Sequence, residues 1–197
     1  MESKSLWEMC KNDEPLLKKK IEKSDEQANI EAVKKIKEVM EISSDRGYGL
    51  AANQLGINAR VCYLRIPALE LGNGENAPPF EIEFHNPDII SDRFMTKNKK
   101  VANQEWCFSL NQEDCYIVER YRKIKVQDDK NGITPLAGIA AYAAQHEIDH
   151  LNGKLISDIG KPRHVIINNA KKIISNTPKN SPCTCGSGKK FKRCCGK

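Results

Sequence analysis

The chain has 197 residues, 39% hydrophobic and 29% charged, proportions that exclude a collagenous or wholly disordered chain and suit one domain with a full core plus a small appendage. Thirty-two Lys and Arg against 26 Asp and Glu leave a net charge of +6, yet from Lys161 to the end there are ten basic residues and no acidic one, so the rest is net negative and an acidic partner is expected at the tail. No apolar run approaches a membrane span and the first twenty residues mix both charge signs, which points away from a signal peptide or anchor.

A chain kept in the reducing cytoplasm uses its eight cysteines as ligands, nucleophiles or buried thiols rather than as disulfides. Residues 1–23 are lysine-rich and weakly patterned, and most of this segment is expected to be solvated surface. Ser24 with Gln27 resembles a capping box. Behind it Ile30, Val33, Ile36, Val39 and Met40 recur at helical spacing and predict a helix over 25–43. Residues 46–49 (RGYG) break it. Residues 60–66 (RVCYLRI) read as a strand, and 80–90 (FEIEFHNPDII) as a second ending near Pro87. Residues 123–127 (KIKVQ) read as another strand, followed by a hairpin turn signal at 128–132 (DDKNG). An Ala-rich run from about Ile139 to Leu151, stopped by Asn152-Gly153, predicts a helix buried on several sides. Residues 175–182 (SNTPKNSP) form a polar linker. Beyond them come Cys183-Thr184-Cys185 and Cys194-Cys195.

Residues 146–150 read His-Glu-Ile-Asp-His. Histidines at i and i+4 leave one face of a helix, so both imidazoles reach one metal ion, and the intervening Glu147 can act on a metal-bound water. Two plain surface histidines, or a structural metal without activity, are the other readings. The third ligand decides the class. Metalloproteases with this helix take a Glu or His further downstream, but beyond Gly153 only Asp158 and His164 are offered, at other spacings. Upstream stand Glu105-Trp106-Cys107-Phe108-Ser109 and Gly47-Tyr48-Gly49-Leu50-Ala51-Ala52-Asn53-Gln54.

These segments, followed by residues 145–153 (QHEIDHLNG), resemble the three signature motifs of peptide deformylases, which remove the formyl group from the N-terminal formylmethionine of nascent chains. The resemblance covers roughly residues 10–165, with Glu14-Pro15-Leu16-Leu17 similar to the family's N-terminal segment. It implies an α+β fold with short antiparallel sheets around a central metal-bearing helix. It makes Cys107, His146 and His150 the ligands of one divalent metal, with water in the fourth position, an open site of the kind hydrolysis requires. The family favours Fe(II), and zinc, nickel or cobalt can occupy the site; a Cys-His-His set on its own suits zinc equally well. Glu147 would carry the proton from water to the departing amine. The Gln54 amide and the Phe108 backbone N–H would stabilise the oxygen of the formyl group. Gly47, Gly49 and Trp106 would lie beside the substrate.

The middle motif departs from the family, whose Gly-Cys-Leu core is here Trp106-Cys107-Phe108. Phe108 keeps a backbone N–H, whereas Trp106 puts a large side chain where the family has none, so it bears on peptide specificity more than on chemistry. Ile139, Tyr142 and Ala143 share a helix face with His146 and are candidates for the methionine pocket, ordinary core packing being the alternative for each. Cys10, Cys62 and Cys115 carry no pattern, and neither His85 nor His164 reads as a ligand.

The tail, CTCGSGKKFKRCCG over residues 183–196, resembles the SEC-C motif. That resemblance implies that Cys183, Cys185, Cys194 and Cys195 bind one structural zinc, a closed site that docks rather than catalyses. The expected organisation is a catalytic domain over 1–165, a basic helix or linker over 166–181 and the zinc-binding motif over 182–197. The expected partners are formylmethionyl nascent peptides and, through the basic tail, the ribosome and its RNA or an acidic chaperone, for a monomer that uses no membrane. A zincin-type endopeptidase and a catalytically silent binding protein are the competing readings.

Overall fold

The computed structural model describes residues 5–10, 15–43, 47–70, 76–90, 100–163, 180 and 190–193. The chain divides into two compact units, residues 1–160 and 161–197. In the second, the described residues include a 3-10 turn at Phe191–Arg193. Cys183, Cys185, Cys194 and Cys195 lie outside the described residues, as do His164 and all of the 166–181 segment except Asn180.

The first unit opens with α1 (Leu6–Met9), capped by the Ser5 hydroxyl, which accepts from the Trp7 N–H. A 3-10 turn follows at Pro15–Lys18. This segment is not the solvated surface its composition suggests: Leu6, Cys10, Leu17 and Ile21 are buried. The apolar residues stand singly among lysines, and a short helix, a turn and an extended stretch bury them without any repeating period. Lys18, Lys19 and Lys20 keep their ammonium groups outside.

α2 (Glu26–Ile42) matches the expected helix within a residue at each end. Its cap is Asp25 rather than Ser24: Asp25 Oδ1 accepts from the Ala28 N–H at 2.8 Å. The Ser24 hydroxyl instead donates to Asn29 and accepts from the Arg60 N–H, joining the helix start to a strand. Val33, Ile36, Val39 and Met40 face inward, but Ile30 is 49% exposed.

β1 (Gly49–Ala51), β2 (Val61–Ile66), the small antiparallel pair β3 (Leu69–Glu70) and β4 (Asn76–Ala77), and β5 (Phe80–His85) come next. β1, β2 and β5 form one antiparallel sheet in that spatial order. The expected strand over 80–90 is two: Asn86, at φ 54°, breaks it, and β6 (Asp88–Ile90) joins a different sheet. β7 (Lys100–Glu105) and β8 (Tyr116–Tyr121) pair antiparallel. β9 (Lys123–Asp128) and β10 (Gly132–Ala137) form the expected hairpin, with Asp128 opposite Gly132 and β6 on the far side of β9. α3 (Gly138–Leu151) and α4 (Ile156–Ile159) complete the unit, giving short antiparallel sheets around a central helix. No helix among the described residues is long and apolar enough to cross a membrane.

Two cores flank β2. On one side α2 packs Ile36 and Met40 against Leu50, Val61 and Tyr63. On the other, Ala141, Ala144, Ile148 and Leu151 of α3 meet Cys62, Leu64, Phe84, Ile124 and Val126. The alanines bring the α3 backbone close to the sheet. Arg60, 2% exposed, ties these layers together. Its guanidinium donates to the carbonyls of Ile21, Leu151 and Pro87 and to the side chains of Asn152 and Asp88, all at 2.8–3.2 Å.

Candidate metal centre

α3 carries His146 and His150 one turn apart, their ring centroids 4.9 Å from each other. Cys107, just past β7, brings its Sγ within 3.2 Å of His150 Nε2. The three donor atoms lie within 4.8 Å of one another, the one such cluster of His, Cys and carboxylate groups among the described residues. A tetrahedral ion with one sulfur and one nitrogen ligand separates them by roughly 3.5 Å. The donor set therefore fits a divalent metal, and these residues form a Cys/His/His metal site.

What orients the donors is a polar network on β7 and β8. Glu105 ends β7 and places Oε2 2.9 Å from His146 Nδ1, which leaves Nε2 for the site. Arg120 on β8 grips both oxygens of Glu105, Nε to Oε1 at 2.8 Å and Nη2 to Oε2 at 2.9 Å, and its Nη1 donates to Asp149 between the two histidines. Asn103 adds a bond to Glu105 Oε1. Burial pushes the Glu105 carboxyl up, but Arg120 and His146 hold it down at about 2. Burial likewise pushes His146 down, yet Cys107 and Glu105 hold it well above the usual imidazole range. His150 lies well below that range, driven by burial and then by the charge on His146.

Around this cluster each neighbour is placed by backbone geometry. The turn of 3-10 helix at Ala52–Leu55 presents Gln54, whose Oε1 accepts from the Ala51 N–H. Its Nε2 therefore faces the site, donating to Ser109 Oγ at 3.2 Å and standing 4.0 Å from Cys107 Sγ. The Ser109 N–H points at the same sulfur from 3.4 Å. Asn53 donates to the His150 carbonyl at 2.7 Å and steadies the end of α3.

Glu147 is buried, and its Oε2 has no hydrogen-bond partner among the described residues. Burial pushes its carboxyl up to about 7, against the opposing charge of His146. Gly49 makes this packing possible: a Cβ there would sit 2.9 Å from Glu147 Cγ and Oε1. Gly47 does the same for Phe108, whose ring would lie 2.7 Å from such a Cβ. Trp7 of α1 meets the Phe108 ring in a T-shaped contact, ring centroids 4.9 Å apart.

A cavity of about 390 Å³ opens over the cluster. The structure brings all the sequence-predicted residues of the first unit to it: Gly47, Gly49, Gln54, Trp106, Cys107, Phe108, Ile139, Tyr142, Ala143, His146 and Glu147 line it, and His150 lies buried against Cys107. One wall comes from β1 and the residues before it, the other from β7 and the residues after it, and each of these strands is the last in its sheet. The cavity is thus a slot between two strand edges, floored by α3. Cys10 and Cys62 are buried elsewhere. His85 is buried beside Glu83, away from the donor cluster.

Sequence reasoning quoted Glu105 only as part of a motif and missed Arg120 and Asn103. In the structure Asn103 and Glu105, two residues apart, stand on the same side of β7.

Comparison with known proteins gives a consistent result. Residues 7–165 match the family model for polypeptide deformylase, and residues 180–197 that for the SEC-C motif. The peptide deformylase of Streptococcus gordonii is 34% identical over 119 residues, and that of Brachyspira hyodysenteriae 35% over 115. These matches cover 57% and 55% of this chain, and the chain spans 57% and 56% of those relatives. Among solved structures, a probable peptide deformylase from synechococcus phage S-SSM7 superposes with a TM-score of 0.56 at 32% identity, over 73% of this chain and 93% of its own. The peptide deformylase of Plasmodium falciparum gives 0.60 at 26% identity, over 84% and 90%. A class I type b enzyme from Acinetobacter baumannii, at 24% identity, shares the fold with a TM-score of 0.61.

Proposed function

Because the chain belongs to the peptide deformylase family, we propose that it hydrolyses the formyl amide of N-formylmethionyl nascent peptides, releasing formate. The observation that carries the reading is the Cys107–His146–His150 cluster with Glu147 beside it, at the floor of a slot between two strand edges. A divalent metal on those donors, Fe(II), zinc, nickel or cobalt by family resemblance and zinc equally by the ligand set, would supply Lewis acidity and a lowered water pKa. Glu147 takes the proton of the attacking water and returns it to the departing amine, a task matched by a carboxyl pushed towards neutrality. Gln54 Nε2 and the Phe108 N–H receive the formyl oxygen as it gains charge. An extended peptide fits the slot because β1 and β7 are edge strands among the described residues. Its methionine enters between Ile139, Tyr142 and Ala143, with Gly47, Gly49 and Trp106 alongside.

The catalytic domain in this reading is residues 1–165, joined by a basic segment over 166–181 to a zinc-binding motif over 182–197. Cys183, Cys185, Cys194 and Cys195 hold one structural zinc there. The ten basic residues from Lys161 onward, with no acidic residue among them, bring this monomeric protein to a polyanionic surface, the ribosome near the emerging chain. Counterion release makes such binding steeply salt-dependent.

Protein prepared anaerobically is expected to release formate from formyl-Met-Ala-Ser. Metal-loaded protein that releases none, or that cuts an internal peptide bond, would rule the reading out. For the tail, truncation after Pro178 is expected to leave hydrolysis of short peptides intact and to weaken co-sedimentation with ribosomes at low salt. Equal sedimentation of the two forms would remove the ribosome from the proposal.

A further inference from the structure

We propose that Trp106 and Tyr48 form the contact for the residue that follows the formylmethionine, and that they select a large apolar side chain there. The inference rests on the deformylase reading and adds a substrate preference to it. Trp106 lies between two residues that cannot shift. Glu105 is locked by Arg120 and His146, and Cys107 is a member of the donor cluster. Both neighbours are buried while Trp106 is 48% exposed, so backbone alternation turns its indole outward at the mouth of the slot. Tyr48, 44% exposed, stands on the β1 side of the same cavity. These two, with Ile139, make three of the seven exposed large hydrophobic residues among those described. Such a concentration at one rim marks a contact surface rather than scatter.

The register of an extended substrate supplies the rest. Successive side chains along a strand point to opposite faces. A first residue whose side chain enters the pocket beside α3 sends the second back towards the rim, where the indole and phenol stand.

The test compares formyl-Met-X-Ser peptides, with X as Gly or Leu, on the wild type, Trp106→Gly and Trp106→Phe. Partial burial of a leucine side chain corresponds to about a tenfold preference in kcat/KM over glycine. Trp106→Gly should bring that ratio to within about twofold, chiefly through KM, and Trp106→Phe should restore most of it. Calorimetric binding of the deformylated Met-X-Ser peptides to the metal-loaded proteins runs in parallel. Turnover with a ratio near one in the wild type, or a ratio that Trp106→Gly leaves unchanged, overturns the inference and leaves the deformylase reading standing. Trp106-dependent preference in binding without formate release does the reverse. Neither binding nor turnover removes both.

Discussion

Glu147→Gln is expected to keep the metal and lose about 10²–10⁴ in turnover, the usual cost of removing a general acid–base group. The substitution is close to isosteric, so it preserves the packing of this side chain against Gly49 while removing the carboxyl proposed to carry the proton. Cys107→Ser and His146→Ala should behave differently, losing the metal itself. Metal content and kcat measured on the same preparations separate the two classes. Full activity in Glu147→Gln would show that the proton travels by another group.

Arg120→Ala should be the most destabilising single change near the site. It leaves the carboxylates of Glu105 and Asp149 without their shared partner, Glu105 being almost wholly buried. Breaking a buried ion pair from one side costs about 3–5 kcal/mol. Loss of the group that holds the His146 partner should also lower metal affinity about 10–100-fold. The pH dependence follows from Glu105, whose folded carboxyl titrates at about 2 instead of 4.5. A depressed carboxyl stabilises the fold fully above its unfolded value, and that stabilisation is lost as pH falls through the folded one. The gap between wild type and Arg120→Ala in urea unfolding should therefore be widest above pH 4.5 and narrow towards pH 2. A gap independent of pH over that window would mean that the pair contributes packing alone.

Two of the three donors were legible because their spacing is local: histidines at i and i+4 announce a shared helix face wherever they occur, whereas Cys107, far upstream, was reached only through the resemblance of its motif. α2 was legible for the same reason, its apolar residues repeating with the turn of the helix. β7 and β8 were not. Residues 100–105 (KVANQE) carry almost no hydrophobic signal, because the buried end of this edge strand is Glu105, and its partner strand buries Arg120. Hydropathy reads a buried ion pair as surface. The N-terminal segment failed in the opposite sense, with Leu6, Leu17 and Ile21 hidden among lysines and buried by long-range contacts that no local period encodes. Ile30, correct in spacing but open to solvent, shows that periodicity identifies a helix more surely than it identifies the last residue of its buried face. Trp106 stood out as a residue, but only the burial of both its neighbours showed which way it faces.

Arg60 carries a consequence for the order in which this molecule is made. Its guanidinium binds carbonyls from residues 21, 87 and 151, so its partners span most of the first unit. A chain growing from its N-terminus has synthesised Arg60 long before Leu151 and Asn152 exist. Until then the β2–β5 face meets no α3, leaving Leu64 and Phe84 uncovered, and the buried guanidinium lacks part of its shell. Domains fold as units during synthesis when their contacts are complete. Here completion waits for the helix that also brings both histidines. The helix that covers the β2–β5 face is also the one that brings both histidines, so in a growing chain this side of the core and the metal centre wait for the same late-made segment.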